Sequence, residues 1–202
     1  MASSPACCLW TIQMTHPNIV LITGERQAGK STACRRAVVL MRQAGLTVSG
    51  LVTERTGEHD LSVRELHTGE TYALTLPFND QANRPLMNFR MNPQAMARSL
   101  ASLARGFPTE VVVIDELGPL ELKRGEGWVE ALNYLRSGEY RVGILVIRPE
   151  LLGVGVLALP RDVYSVVKVT PENRDRIPAI VAEAAVTACV RERAGEENRR
   201  YE

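Results

Sequence analysis

Gly24-Glu25-Arg26-Gln27-Ala28-Gly29-Lys30-Ser31 fits the pattern Gly-x-x-x-x-Gly-Lys-[Ser/Thr]. A short apolar run, Ile19-Val20-Leu21-Ile22, leads into it, and a helical pattern from Ser31 to about Gln43 leads out. Strand, glycine loop and helix in that order form a phosphate-binding P-loop. Backbone N–H groups of such a loop, and of the helix N-terminus behind it, point inward at phosphate oxygens. Gly24 and Gly29 give the chain freedom to wrap them. The stretch predicts binding of a nucleoside triphosphate together with Mg²⁺.

Working outward, the chain alternates strand and helix patterns. Asn18 to Thr23 reads as a buried strand and Lys30 to Gln43 as a helix. In that helix Ala33, Ala37, Leu40 and Met41 recur at helical spacing, and Gly45 is a stop signal. Thr47 to Thr53 is a second strand. Leu61 to Leu66 and Thr71 to Leu76 alternate apolar and polar residues around His67-Thr68-Gly69-Glu70, which predicts an antiparallel hairpin with one face exposed. Pro77 to Asn92 is loop-like, and Pro93 to Ala104 reads as a helix with proline in its first turn. Val111 to Ile114 is a buried-type strand ending in Asp115-Glu116.

Beyond it, Gly118-Pro119 and Gly125-Glu126-Gly127 place loops on either side of Leu120-Glu121-Leu122. Trp128 to Arg136 is helical, Val142 to Ile147 a strand, Val163 to Val169 the last strand and Ile177 to Arg193 the last helix. Leu151 to Pro160 stays open, because two glycines weaken a helix. The alternation predicts an α/β fold: a mostly parallel sheet flanked by helices, with the hairpin as an antiparallel addition. One domain is expected over residues 18–193, between an N-terminal tail at 1–17 and a C-terminal tail at 194–202.

Composition narrows the partners. The chain has 202 residues and a formal net charge of +1, so no global field favours nucleic acid or an anionic membrane. No apolar run approaches the roughly 18 residues of a membrane span, and Met1 to Met14 lacks the basic and apolar regions of a signal peptide. Cys7, Cys8, Cys34 and Cys189 form no Cys-x-x-Cys and no metal-ligand spacing with histidine. A cytoplasmic protein, with no membrane or nucleic-acid partner, is the expectation.

The chemistry follows from the loop. Lys30 is expected to reach the β- and γ-phosphates, Ser31 to ligate Mg²⁺ and Thr32 to donate to the α-phosphate. Asp115, at the end of a buried strand, has the position of a Walker-B aspartate that holds the metal; capping a strand-to-loop turn is the alternative. Glu116 directly follows and can orient and deprotonate an attacking water, or stand as a solvated loop carboxylate. One carboxylate for the metal and one for the water favours hydrolysis over passive binding. Glu25 and Arg26 put a charge of each sign beside the phosphates. Arg26 either helps neutralise the γ-phosphate or points outward. Arg124, Arg148 and Arg161 sit in expected loops as candidate cis arginine fingers or as surface charges.

Four segments together resemble the cancer-related nucleoside-triphosphatase family. They are Ile22 through Thr32, Val48-Ser49-Gly50-Leu51-Val52-Thr53-Glu54, Val113-Ile114-Asp115-Glu116-Leu117-Gly118-Pro119-Leu120-Glu121-Leu122, and Val169-Thr170-Pro171-Glu172-Asn173-Arg174-Asp175. The resemblance implies a P-loop NTPase fold related to nucleotide kinases. It also implies a slow, Mg²⁺-dependent nucleoside-triphosphate phosphohydrolase of broad base preference. By the same likeness, Asn173 and Arg174 lie near the base or ribose; helix capping and a surface charge are their other reading. Here Arg26-Gln27 stands where the family's loop often has Pro-Gly. Two other functions use the same loop: a kinase passing the γ-phosphoryl to a small acceptor, with 77–92 and 118–127 around it, or a nucleotide-dependent switch presenting the hairpin to a partner.

Overall fold

Ile19–Thr23 is apolar or small at every position because it is covered on both faces, and all five residues are buried. This strand, β1, belongs to a seven-stranded sheet in a computed structural model that describes residues 19–77, 89–159 and 164–199. The other strands are β2 (Val48–Arg55), β3 (Leu61–Glu65), β4 (Thr71–Ala73), β5 (Thr109–Leu117), β6 (Tyr140–Ile147) and β7 (Tyr164–Lys168). Their order across the sheet is β4-β3-β2-β5-β6-β1-β7. The pairs β1–β6, β1–β7, β2–β5 and β5–β6 run parallel, while β3 and β4 add antiparallel at one edge. The expected architecture is therefore present. The expected N-terminal tail, Arg161 and most of the 77–92 loop lie outside the described residues.

The helices are α1 (Lys30–Gln43), α2 (Pro93–Arg105), α3 (Ala131–Ser137), α4 (Leu152–Ala158) and α5 (Ile177–Arg199). They divide the core into two layers. On one face α1 and α5 cover Val20, Ile22, Val113, Ile144 and Val167; on the other, α2, α3 and α4 cover Leu21, Leu51, Ile114, Leu145 and Ile147. Successive strand residues thus feed opposite layers, the period-2 rule of a sheet.

Several boundaries differ from the sequence reading. In α1 the buried stripe is Ala33, Cys34, Ala37, Val38 and Met41, while Leu40 is 38% exposed. The last helix continues through Arg199, beyond Arg193 where the apolar period fades. Helical structure after Gly127 starts at Ala131 rather than Trp128, and Leu120–Arg124 is a π-helical turn. The open segment resolves as α4. Gly155 packs closely on β6 there: a Cβ on it would meet Cδ1 of Ile147 at 2.8 Å, so a larger residue would make that side chain shift. Asn92 caps α2, its side chain accepting from the N–H groups of Gln94 and Ala95, with Pro93 in the first turn as expected.

The hairpin is less exposed than its alternation suggests. Ser62, Val63 and Glu65 of β3 are all buried. Glu65 accepts hydrogen bonds from the hydroxyls of Thr68 (2.7 Å), Tyr72 (2.7 Å) and Ser102 (2.7 Å), and Arg98 lies 3.6 Å away. A buried carboxylate is tolerated because its lone pairs are used. Burial pushes its pKa up, but the three hydroxyls and Arg98 outweigh it and hold the group below the usual carboxylate value. Through Ser102 and Arg98 this network fastens the hairpin to α2.

Candidate active site

The loop between β1 and α1 has the backbone its glycines allow. Gly24 has φ +145° and Gly29 φ +100°. A Cβ on Gly24 would come within 2.3 Å of the Val169 carbonyl oxygen, so only glycine fits against the end of β7. Gln27, at φ +63°, is the one non-glycine residue with positive φ among the described residues. Glu25, Arg26 and Gln27 are exposed, and Ala28 is buried. Lys30 folds back over the loop, donating from Nζ to the carbonyls of Gly24 (2.7 Å) and Glu25 (2.8 Å).

Strand order sets the distance to the acidic pair. β6 lies between β1 and β5, so the strand carrying Asp115 stands two strand spacings, about 10 Å, from the strand that feeds the loop. Ser31, on the first turn of α1, spans that gap: its Oγ donates to Asp115 Oδ1 at 3.1 Å. The two residues expected at the metal are thus brought together from 84 positions apart. Asp115 is fully buried, and its Oδ2 has no hydrogen-bond partner. Burial pushes its carboxyl up to about 7; the Ser31 hydrogen bond opposes this and the Glu116 charge adds to it.

A buried carboxylate oxygen without a donor, beside a serine hydroxyl at the head of a P-loop helix, suits a hard cation that takes oxygen ligands. Among the described residues no group of three or more His, Cys, Asp and Glu could hold a metal by itself. Mg²⁺ commonly uses one or two protein oxygens and completes its shell with phosphate and water.

Asp115 and Glu116, read from the sequence as the end of the strand, lie inside β5, which runs on to Leu117. Pairing with β6 jumps from Asp115↔Val146 to Leu117↔Ile147, so Glu116 occupies an irregularity in the ladder. Such a bulge re-aims a side chain. The Glu116 carboxylate accepts from Nε of Arg148, the residue that follows β6. The sequence left Arg148 as one of three candidate fingers; the structure places it on Glu116. Arg124 lies in the π-helical turn.

The remaining expected residues divide. Asn173 is used up locally: its Oδ1 accepts from the Thr170 N–H at 2.8 Å and its Nδ2 donates to the Lys168 carbonyl at 2.9 Å, closing the turn between β7 and α5. Arg174 does reach the loop; its Cδ would lie 3.4 Å from a Cβ on Gly29. Thr32 is exposed on α1 and accepts from Arg35 at 3.4 Å.

The sequence reading offered 77–92 and 118–127 as the surroundings of a small phosphoryl acceptor, and described residues of both segments border a hollow beside this centre. A cavity of about 390 Å³ is bounded by Arg26 of the loop, by Glu116 and Arg148, and by the hairpin, α2 and the 118–128 segment. Glu121, 7% exposed, holds that last segment: Oε2 accepts from the Gly118 N–H (2.9 Å) and Oε1 from the Trp128 N–H (3.1 Å). In the sequence Glu121 stands out only as part of the third resembling segment.

Comparison with known proteins places the chain in a family. A protein-family model described as NTPase matches residues 19–182. The chain is 27% identical over 169 residues to the nucleoside-triphosphatase THEP1 of Methanopyrus kandleri, covering 80% of this chain and 91% of that protein. It is also similar in fold to the crystal structure of THEP1 from the hyperthermophile Aquifex aeolicus. There the TM-score is 0.59 at 20% identity, over 81% of this chain and 96% of that one.

Proposed function

The chain belongs to the NTPase family and is a nucleoside-triphosphatase, and from that premise we propose that it is a Mg²⁺-dependent phosphohydrolase of broad base preference, releasing nucleoside diphosphate and phosphate. The observation that carries the metal dependence is the meeting of Ser31 with a buried Asp115 whose second oxygen has no partner.

In this reading the amides of Gly24 through Thr32 cradle the phosphates, and Lys30 exchanges its two carbonyl partners for phosphate oxygens. Ser31 and Asp115 hold the Mg²⁺, which supplies charge neutralisation to the β- and γ-phosphates. Glu116 orients a water for in-line attack and takes its proton. Arg148, in contact with Glu116, fixes that carboxylate and brings a positive charge to the same place. Arg174 lies against the loop at Gly29, whereas Asn173 closes the turn between β7 and α5. Broad base preference is what the likeness to this family implies. A cytoplasmic setting, reducing and rich in nucleoside triphosphates, suits the two buried free cysteines, Cys34 and Cys189.

The test is phosphate release from ATP, GTP, CTP and UTP, with Mg²⁺ or with chelator. Wild type should turn over all four only with the metal. Glu116→Ala should keep nucleotide binding and lose about 10²-fold or more in rate, the usual size of a general-base contribution. Lys30→Ala should lose binding as well. Release that persists in chelator, or an undiminished Glu116→Ala, would overturn the assignment.

A further inference from the structure

Hydrolysis needs room at Glu116 for one water, about 30 Å³. The cavity that opens there has about 390 Å³, an order of magnitude more, and lies in the range of pockets that bury small organic ligands. Its walls are also wrong for a water channel. Leu74, Met91, Met96 and Trp128 present apolar surface between the hairpin and the 118–128 segment.

Its charges do not cancel. Two carboxylates and three guanidinium groups line it. Glu116 is matched by Arg148, and both oxygens of Glu121 are taken by backbone N–H groups. Arg26 and Arg55 remain, and neither has a carboxylate partner among the described residues. Arg55 is exposed; its guanidinium carbon lies 5.0 Å from the centre of the Phe89 ring, and its Nη1 donates to the Glu58 carbonyl at 3.1 Å.

We propose that this cavity is a second ligand site, taking a flat, apolar organic molecule with one anionic group, its body against Met91 and Trp128 and its anion at Arg55. The occupant is distinct from the nucleotide, whose phosphates the loop would hold. Because the cavity reaches Glu116, an occupant excludes water from the carboxylate and slows phosphate release without competing for the loop. That last consequence rests on the proposed role of Glu116; occupancy itself does not.

The test uses 1-anilinonaphthalene-8-sulfonate, a flat aromatic anion whose fluorescence rises in apolar surroundings. It should bind the full-length protein with one-to-one stoichiometry, with or without saturating nucleotide. Met91→Trp, which fills the cavity from its rim, should weaken binding at least tenfold. Arg55→Glu should weaken it about tenfold while leaving nucleotide affinity unchanged, and Arg55→Lys should retain most of it. Circular dichroism melts identify any variant that has lost its fold, and Arg55→Lys against Arg55→Glu then carries the comparison alone. Phosphate release should fall as the dye saturates, with KM for the nucleotide unaltered. Binding at several sites, binding equal in all variants, or displacement by nucleotide would each overturn the proposal. A protein inactive in phosphate release but binding the dye one-to-one would sink the hydrolytic role of Glu116 and leave the second site standing.

Discussion

Asp115 carries a charge that the fold alone handles poorly. With the carboxyl at about 7 in the folded chain and 3.8 as its ordinary value, the folded state holds the proton more tightly than the unfolded one. The sign follows directly. Stability from this group is complete below about pH 4 and is lost as pH rises through 7, by up to about 4 kcal/mol in the absence of metal. Asp115→Asn keeps an oxygen for Ser31 and removes the charge. In chelator, urea unfolding should show Asp115→Asn gaining on wild type between pH 5 and pH 8. A difference that stays constant over that range would mean that Asp115 is not strained by burial. Added Mg²⁺ should recover stability in wild type alone. None of this is legible from Asp115 as a letter, since burial and an orphaned oxygen are properties of its neighbours in space. The loop of Gly24 to Ser31 is the opposite case: its geometry is local, so eight consecutive residues declare it.

Elements show the same division. The strands are legible because each is apolar or alternating in its own sequence, and α2 because Asn92-Pro93 is a local start signal. The helix α4 was not, since Gly155 answers to Ile147 rather than to helix propensity. The buried Glu65 escaped for a related reason: alternation put it on the inward face, and only Ser102 and Arg98 from α2 make that position tolerable. The 118–128 segment hangs on Glu121 in the same way. Glu121→Ala strands the N–H groups of Gly118 and Trp128 and should cost about 1–3 kcal/mol. Hydrogen exchange should speed at those two amides, with the amides of β1 and α1 unchanged. Uniform acceleration across the molecule would instead mean a general loss of stability.

At the scale of the whole molecule, the sheet order decides how the site is assembled. Interposing β6 between the loop strand and the acidic strand makes three elements, not two, meet at the phosphate end: β1 with its loop, β5 with Asp115 and Glu116, and β6 with Arg148. A ligand that touches all three ties the centre of the sheet together. Saturating nucleotide with Mg²⁺, at about 100 times Kd, should therefore stabilise the protein by about 2.7 kcal/mol. For a domain of this size that raises Tm by roughly 5–10 °C. Lys30→Ala should show no such shift; a full shift in that variant would place the ligand elsewhere. Strand order is also what the sequence withheld most completely, because parallel strands joined by helices read alike in any order.

The posture of Lys30 has a kinetic meaning. Its ammonium satisfies two carbonyls of the loop it closes, so the loop is braced by its own side chain. An arriving phosphate finds a rigid ring with a resident cation, and association becomes a trade of partners instead of a folding event. The heat of binding should be modest and arrival quick, and departure of the product should restore the brace at once, readying the loop for the next turnover.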